Sequence, residues 1–316
     1  MTDNDLKITF LSGGTGTPKL LCGFRNFVSD ENITIVGNTG DDEEFYGLLI
    51  SPDIDTLLYL YSGKLDLEKF WGVKNDTFRV LDEVKAMGEN TWFGLGDKDL
   101  ALHLIRNNLL HQNKTYTEIV KEISIQLGIK AKILPMSNDK IRTVFYSKSN
   151  ERLSFQEYTV KYKESHEISR VEYTGADTTT ITPEVKEAIE NTQVIIIGPS
   201  NPITSIGPIL AIKEIFQELK KSTAKKIAIS PIASGKSFSG PAAKLMKELN
   251  LEASVYGLAK LYQEIIDVII ISENDEQLIG KIEELGLKVI PTNISLKNEE
   301  ERNNLTRIIL NEAVKL

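Results

Sequence analysis

The chain of 316 residues has a single cysteine, Cys22. That excludes an internal disulfide and any zinc site built on cysteines, and it fits a reducing cytoplasm. Histidine is scarce too: His103, His111 and His166 have no metal-ligand spacing, and His103 reads as structural or supporting. No Ser/His/Asp or Cys/His arrangement is readable, which weakens acyl transfer as a chemistry. Long apolar runs are missing too. Val194–Ile197 and Val268–Ile271 are strand-length, far short of the roughly 20 residues that span a bilayer. The first residues, MTDNDLK, are acidic and carry no apolar signal core. There is no run of Lys and Arg, and the formal net charge is −8. The expectation is therefore a soluble, cytoplasmic protein with no nucleic-acid and no membrane partner. A small anionic ligand remains compatible, because local cations or a metal override the global sign.

Hydrophobic residues make up 41% and charged residues 26%, as in an ordinary globular protein. The length suits a large α/β domain carrying an insertion, or two closely packed domains. Strand patterns lie at 7–11 and 33–37, with a helix from Pro18 between them and another over 54–61 entered from Ser51-Pro52. Residues 65–128 read as helical, interrupted by polar loops at 71–77 and 88–99. Short alternating runs at 131–136, 141–147, 152–160 and 168–173 suggest a small, partly antiparallel sheet. From Thr182-Pro183 onward strands (194–198, 226–230, 252–256, 267–272, 287–290) alternate with helices (206–220, 239–249, 259–265, 274–284, 298–314). Such alternation means βαβ units and a parallel sheet. The fold class is α/β: a Rossmann-like, mostly parallel sheet with helices on both faces and an inserted helical and small antiparallel segment. The chain reads as one unit, with a core of about 1–61 and 181–316 and an insertion of about 62–180.

Four segments carry chemistry. Ser12-Gly13-Gly14-Thr15-Gly16-Thr17-Pro18-Lys19 is a glycine-rich strand-to-helix turn. Its backbone N–H groups, the helix start, Thr15, Thr17 and Lys19 suit a phosphate. It completes neither GxxxxGK[ST] nor GxGxxG, since Lys19 holds the third glycine's position, and a plain tight turn is the simpler alternative. Asn38 to Asp55 contains Asp41, Asp42, Asp53 and Asp55 beside a strand end. Mg²⁺ shared with substrate phosphates needs one to three such acids. A solvated acidic loop with Asp53 as a helix cap is an equal alternative. Trp92-Phe93-Gly94-Leu95-Gly96-Asp97 offers a wall for a flat ring, although loop aromatics more often anchor a core. Gly198-Pro199-Ser200-Asn201-Pro202, after an apolar strand, and Ser230-Pro231 to Ser239-Gly240-Pro241 with Lys236 bring further donors to the same sheet edge.

Taken in order, SGGTGTPKLL, GNTGDDE…ISPDIDT, WFGLGDKDLALHLIR, FQEY, IGPSNPITSIGPIL and SPIASGKSFSGPAAKLM resemble the 2-phospho-L-lactate transferase family (CofD, with its actinobacterial counterpart FbiA), over nearly the whole chain. The resemblance implies a Mg²⁺-dependent phosphotransferase of coenzyme F-420 biosynthesis. Such an enzyme joins a lactyl- or enolpyruvyl-diphosphoguanosine donor to the ribityl hydroxyl of 7,8-didemethyl-8-hydroxy-5-deazariboflavin and releases GMP. It also implies roles for residues. Asp41 and Asp55 match metal-binding acids, and Asp55 is the catalytic candidate. Asp55, Gly94 and Trp92 match the deazaflavin side. Gly13, Gly14, Thr15, Gly16, Thr17, Lys19, Asn38, Ser200 and Asn201 match the nucleotide and diphosphate side. A homodimer is the family's habit. The rival reading is a non-catalytic nucleotide-sugar-binding regulator of the gluconeogenesis-factor (YvcK-like) type, similar in its glycine turn and acid-bearing loop; the WFGLGDKDLALHL segment argues against it. A nicotinamide oxidoreductase is disfavoured by the incomplete glycine fingerprint.

Overall fold

The computed structural model describes residues 6–238 and 240–315. Met1–Asp5, part of the stretch read for a leader, and Ser239, where a helix was expected to start, lie outside them.

The chain opens with strand β1 (Ile8–Ser12), helix α1 (Gly16–Phe24) and β2 (Ile33–Gly37). A short hairpin, β3 (Glu43–Phe45) with β4 (Leu48–Ile50), leads into α2 (Pro52–Tyr61). Helices α3 (Arg79–Ala86), α4 (Asp97–His111) and α5 (Tyr116–Gln126) precede β5 (Lys132–Pro135). Strands β6 (Arg142–Ser147), β7 (Arg152–Ser154) and β8 (Ile168–Thr174) form a three-stranded antiparallel sheet. Then come α6 (Pro183–Glu190), β9 (Val194–Ile197), α7 (Gly207–Ala211), α8 (Lys213–Lys221) and β10 (Lys225–Ile229). The two-residue strands β11 (Ile232–Ala233) and β12 (Lys236–Ser237) pair before α9 (Ala242–Glu248) and α10 (Val255–Tyr262). The chain finishes with β13 (Val268–Ser272), α11 (Ile279–Glu283), β14 (Lys288–Thr292) and α12 (Glu299–Ala313).

Seven parallel strands form the central sheet in the order β14-β13-β10-β9-β1-β2-β5. The strands nearest its middle are buried throughout (Ile8–Ser12, Val194–Ile197), as expected where helices cover both faces. One face packs Leu20, Leu21, Ile54, Leu57, Ile119 and Leu305 against the sheet. The other packs Val185, Ile209, Ile215 and Leu258. The edge strand β5 comes from the 62–180 segment. After β1 the chain turns towards β2, while β9 returns on β1's other side. The order therefore reverses between β1 and β9, the point outside whose strand carboxyl ends such sheets bind their ligands.

Three local expectations are corrected. Residues 252–256 are not a strand: Ser254 accepts from Gly257 N at 3.1 Å and starts α10, so β10 pairs directly with β13. The N-cap bond outweighs an alternating pattern only a few residues long. The run 152–160 is extended only to Ser154. Glu157 Oε2 there accepts from Ser154 N at 3.0 Å and turns the chain into a π-helix over Glu157–Lys161. The helix expected over 206–220 is broken at Ile212, whose extended backbone buries its side chain between α7 and α8.

Candidate functional site

Three loops leave neighbouring strands at the carboxyl edge and meet there. The first is the glycine turn after β1. Gly14 sits at φ +60°, a left-handed conformation that favours glycine. Gly16 is required by space, since a Cβ there would collide with the Pro199 carbonyl. The second is the acid loop after β2, and the third is the 198–206 loop after β9.

Side chains lock these loops together. Ser200 Oγ donates to the Gly13 carbonyl at 2.6 Å, accepts from Thr17 N at 3.2 Å and lies 2.8 Å from Thr17 Oγ1. Asp53 Oδ1 accepts from Gly14 N at 2.8 Å. Its Oδ2 accepts from Asn38 Nδ2 at 2.9 Å, and Asn38 Nδ2 also donates to Asp41 Oδ2 at 3.1 Å and to the Thr204 carbonyl at 3.2 Å. Asn38 Oδ1 in turn accepts from Gly40 N at 2.8 Å. Asn201 Oδ1 accepts from Ile203 N at 2.9 Å, while its Nδ2 is buried without a hydrogen-bond partner among the described residues.

The four aspartates divide into two pairs, all buried. Asp41 and Asp53 share Asn38. Asp42 Oδ1 accepts from Ser51 Oγ at 2.6 Å, and Asp55 Oδ2 accepts from Ser51 N at 3.4 Å. Burial pushes Asp42 up to about 8 against the pull of Arg142 and Ser51. Burial likewise pushes Asp53 up to about 6, against its bonds from Asn38 and Gly14. Asp41 is held well above the usual carboxylate range by burial and by the Asp53 charge. Asp41 Oδ1 has no hydrogen-bond partner among the described residues. An open, buried carboxylate oxygen is the donor chemistry of a hard divalent cation, although Asp41, Asp42 and Asp53 do not bring one ligand atom each within 4.8 Å of one another.

Asp55 is differently placed. Both of its oxygens accept from the guanidinium of Arg106, one through Nη1 at 3.2 Å and the other through Nη2. Arg106 is wholly buried on α4, its Nη1 also 3.1 Å from His103 Nδ1. His103 Nε2 lies 3.3 Å from Asp99 Oδ1, which accepts from Tyr59 OH at 2.6 Å. Burial raises the Asp99 carboxyl, but the His103 bond and charge outweigh it and hold the pKa low. Asp55, Asp99 and His103 offer ligand atoms within 4.8 Å of one another, but the guanidinium already occupies the Asp55 end.

Trp92 and Gly94 lie apart from the glycine turn. Trp92 is half-buried against Phe45 at 5.1 Å between ring centroids, and Phe93 stacks on Phe45 at 4.1 Å. Gly94 is exposed. The β3–β4 hairpin that carries Phe45 thus ties this aromatic group to the acid loop. Lys19 has its ammonium 5.3 Å from the Phe70 ring centroid, and burial with the nearby Arg302 charge lowers its pKa. Among the described residues its ammonium makes no hydrogen bond to the turn or the acids.

Sequence reasoning missed several participants. Asp53, read as a helix cap, is the link between turn and acids. Arg106, to which the sequence reading gave no role, is the counter-ion of Asp55. Gln156 Nε2 donates to the Asp41 carbonyl at 2.9 Å; its place in the FQEY motif was the available signal.

The family model described as 2-phospho-L-lactate transferase CofD matches residues 8–310. A 2-phospho-L-lactate transferase from Methanococcoides burtonii is 40% identical over 299 residues, covering 95% of this chain and 97% of the relative. One from Methanocaldococcus jannaschii is 38% identical over 306 residues, covering 96% and 97%. A solved structure of a UPF0052-family protein from Bacillus halodurans superposes with a TM-score of 0.62 at 21% identity, covering 96% of this chain and 99% of that one, a likeness of fold. No helix among the described residues is long and apolar enough to cross a membrane.

Proposed function

The chain belongs to the 2-phospho-L-lactate transferase CofD family, and from that premise we propose that it moves a 2-phospholactyl or enolpyruvyl-phosphate group from a guanosine-diphospho donor to the ribityl hydroxyl of 7,8-didemethyl-8-hydroxy-5-deazariboflavin, releasing GMP, in coenzyme F-420 biosynthesis. The observation that carries this reading is the bonded series Gly14–Asp53–Asn38–Asp41. It sets a phosphate-type turn directly against a cation-type acid cluster.

Phosphoryl transfer asks little covalent work of a protein; positioning and charge neutralisation do most of it. The N–H groups of the glycine turn, with Ser200 and Asn201 of the loop after β9, hold the diphosphate. Lys19 adds long-range positive charge. Asp41 would hold Mg²⁺, and Asp55 would join it only by giving up part of its pairing with Arg106; the ion would supply neutralisation of phosphate charge. Asp55 orients the ribityl hydroxyl and accepts its proton, and Trp92 and Gly94 border the flat ring. The protein works in the cytoplasm, as a homodimer.

The test is direct. Purified protein is incubated with deazaflavin, Mg²⁺ and each guanylated donor, and the product is weighed by mass spectrometry while GMP is quantified. A product heavier by the phospholactyl or enolpyruvyl-phosphate group is expected; unreacted deazaflavin with every donor rejects the reading.

A further inference from the structure

We propose that Arg142 and Arg152 form the subsite for the carboxylate of the donor's small phosphorylated hydroxyacid. The inference rests on the transferase reading and assigns the part of the donor that reading leaves open.

A cavity of about 300 Å³ lies between the acid loop and the three-stranded sheet, lined by Asp41, Asp42, Arg142, Thr143, Arg152 and Phe155 among others. Its volume is at the low end for small-molecule sites. That suits a three-carbon acid rather than a nucleoside. The cavity shares Asp41 with the bonded series that reaches the glycine turn. A ligand with its phosphate beside Asp41 therefore extends its other end towards β6 and β7.

That end meets two guanidiniums. Strands β6 and β7 pair Val144 with Ser154 and Tyr146 with Arg152, which puts positions 142 and 152 on one face of the sheet. Arg142 is half-buried. Its Nη1 donates to the Ile141 carbonyl at 2.7 Å and the Thr39 carbonyl at 3.5 Å, which fixes the guanidinium at the cavity wall. Arg152 makes no side-chain hydrogen bond and no ion pair among the described residues.

Arg142 lies near enough to Asp42 and Glu43 to lower both carboxyls against the rise that burial causes, but each acid of the wall takes its hydrogen bond or ion pair from another group. Asp41 is bonded by Asn38 and Asp42 by Ser51. Glu43 accepts from Ser154 Oγ at 2.7 Å, and Glu44 pairs with Lys140 at 3.1 Å. No carboxylate stands within ion-pair distance of Arg142 or Arg152 among the described residues. Two forked donors that form no ion pair among the described residues, Arg142 half-buried in the wall and Arg152 exposed at the rim of one small cavity, match the planar geometry of a carboxylate.

The test is calorimetric, with 2-phospholactate, inorganic phosphate and GDP as separate probes of the wild type, Arg142→Met and Arg152→Met. Each substitution is expected to weaken 2-phospholactate binding by about tenfold or more. GDP and inorganic phosphate should stay within about twofold, and the retained GDP affinity also reports a folded protein. In turnover, the donor KM should rise by about tenfold with kcat changing less than about threefold, and Arg142→Lys should recover only part of the loss. Equal 2-phospholactate affinity in wild type and both variants, in protein that still forms product, overturns the subsite and spares the transferase. A parallel loss of inorganic phosphate overturns the carboxylate assignment. Wild-type protein that neither binds GDP nor forms product rejects the transferase reading, and with it the donor as occupant.

Discussion

Gly14 gives its backbone N–H to the Asp53 carboxylate at 2.8 Å, so the glycine turn and the acid loop are one bonded object. The bond crosses from the β1 turn to the first turn of α2. It also places three buried carboxylates, Asp41, Asp42 and Asp53, close to the turn that is to receive another anion. Such an arrangement works against the unliganded fold and in favour of a bound cation, as sites of function commonly do.

The linkage gives a pH prediction. Asp42 and Asp53 are raised by burial to about 8 and about 6. A raised acid keeps its proton in the folded chain while the unfolded chain has lost it. The metal-free protein should therefore lose stability as pH rises from the ordinary carboxylate range through 6 to 8. Mg²⁺ binds the deprotonated acids, so its stabilising effect should grow over the same interval. Thermal melts at pH 5 and pH 8, with Mg²⁺ or with chelator, check both. A Mg²⁺-induced rise in Tm no larger at pH 8 than at pH 5 would count against the assignment.

Asp53→Asn separates the two roles of that residue. Asparagine keeps an acceptor for Gly14 N, gives up the bond from Asn38 Nδ2 and removes one charge from beside Asp41. At pH 8 without metal the variant should melt at or above the wild-type temperature. Its Mg²⁺-induced rise in Tm should largely vanish, and turnover should fall by about a hundredfold. A variant with full Mg²⁺ response would leave Asp53 as a mere strut.

The Asp55–Arg106 pair is wholly buried, so breaking it from either side strands a charge. Arg106→Leu alone and Asp55→Leu alone should each cost about 3–5 kcal/mol. Joining the two substitutions should cost less than either single change, because no lone charge remains. Activity should stay absent in the double variant. The milder Asp55→Asn should abolish turnover while GDP still binds; unchanged turnover rejects the proton-accepting role. Urea unfolding of the single and double variants supplies the cycle.

Much of this was legible from residue order alone. Alternating apolar runs and helix starts gave the parallel sheet, and the loops after β1, β2 and β9 were placed at its carboxyl edge. What escaped were partnerships between residues distant in sequence. Nothing local at Arg106 tells that its guanidinium reaches Asp55, because that contact depends on how α4 packs on α2. Asp53 at a helix start looked like a cap because capping is what aspartate does there in most chains. Its bond to Gly14 exists only once β1 and β2 lie side by side. At Ser254 and Glu157 the error was one of competition, with a single side-chain-to-backbone bond deciding between strand and helix in a run too short for periodicity to prevail.

Acid stability depends on the far end of the molecule. Glu312 on α12 is buried and takes Lys288 at 2.7 Å and Lys225 at 3.0 Å, at the starts of β14 and β10. Burial raises its pKa, but the lysine bonds outweigh that and bring it down to about 2. A lowered carboxyl contributes stability that is complete above the ordinary glutamate range and is lost as pH falls towards 2. Glu312→Gln should therefore lower Tm at pH 7 and narrow its gap to wild type progressively below about pH 4. A gap that is constant down to pH 2 would show that the ion pairs contribute nothing.

Trp92 tests whether the aromatic group serves a ligand or only the fold. Its ring meets Phe45 edge-on at 5.1 Å, and Lys161 lies 5.8 Å from its centroid. Both partners are outside the main cores, so Trp92→Ala should cost no more than about 1–2 kcal/mol of stability. Phe45 and Phe93 remain stacked without it, which keeps the hairpin in place. If the indole borders the deazaflavin, the same change should weaken binding of that fluorescent ligand by about tenfold and leave GDP affinity unaltered. Trp92→Phe should restore most of the affinity, since a flat apolar face is what the ring needs. A fluorescence titration in which Trp92→Ala binds deazaflavin as tightly as the wild type would return Trp92 to the role of a packing residue and move the flat-ring site elsewhere at the sheet's carboxyl edge.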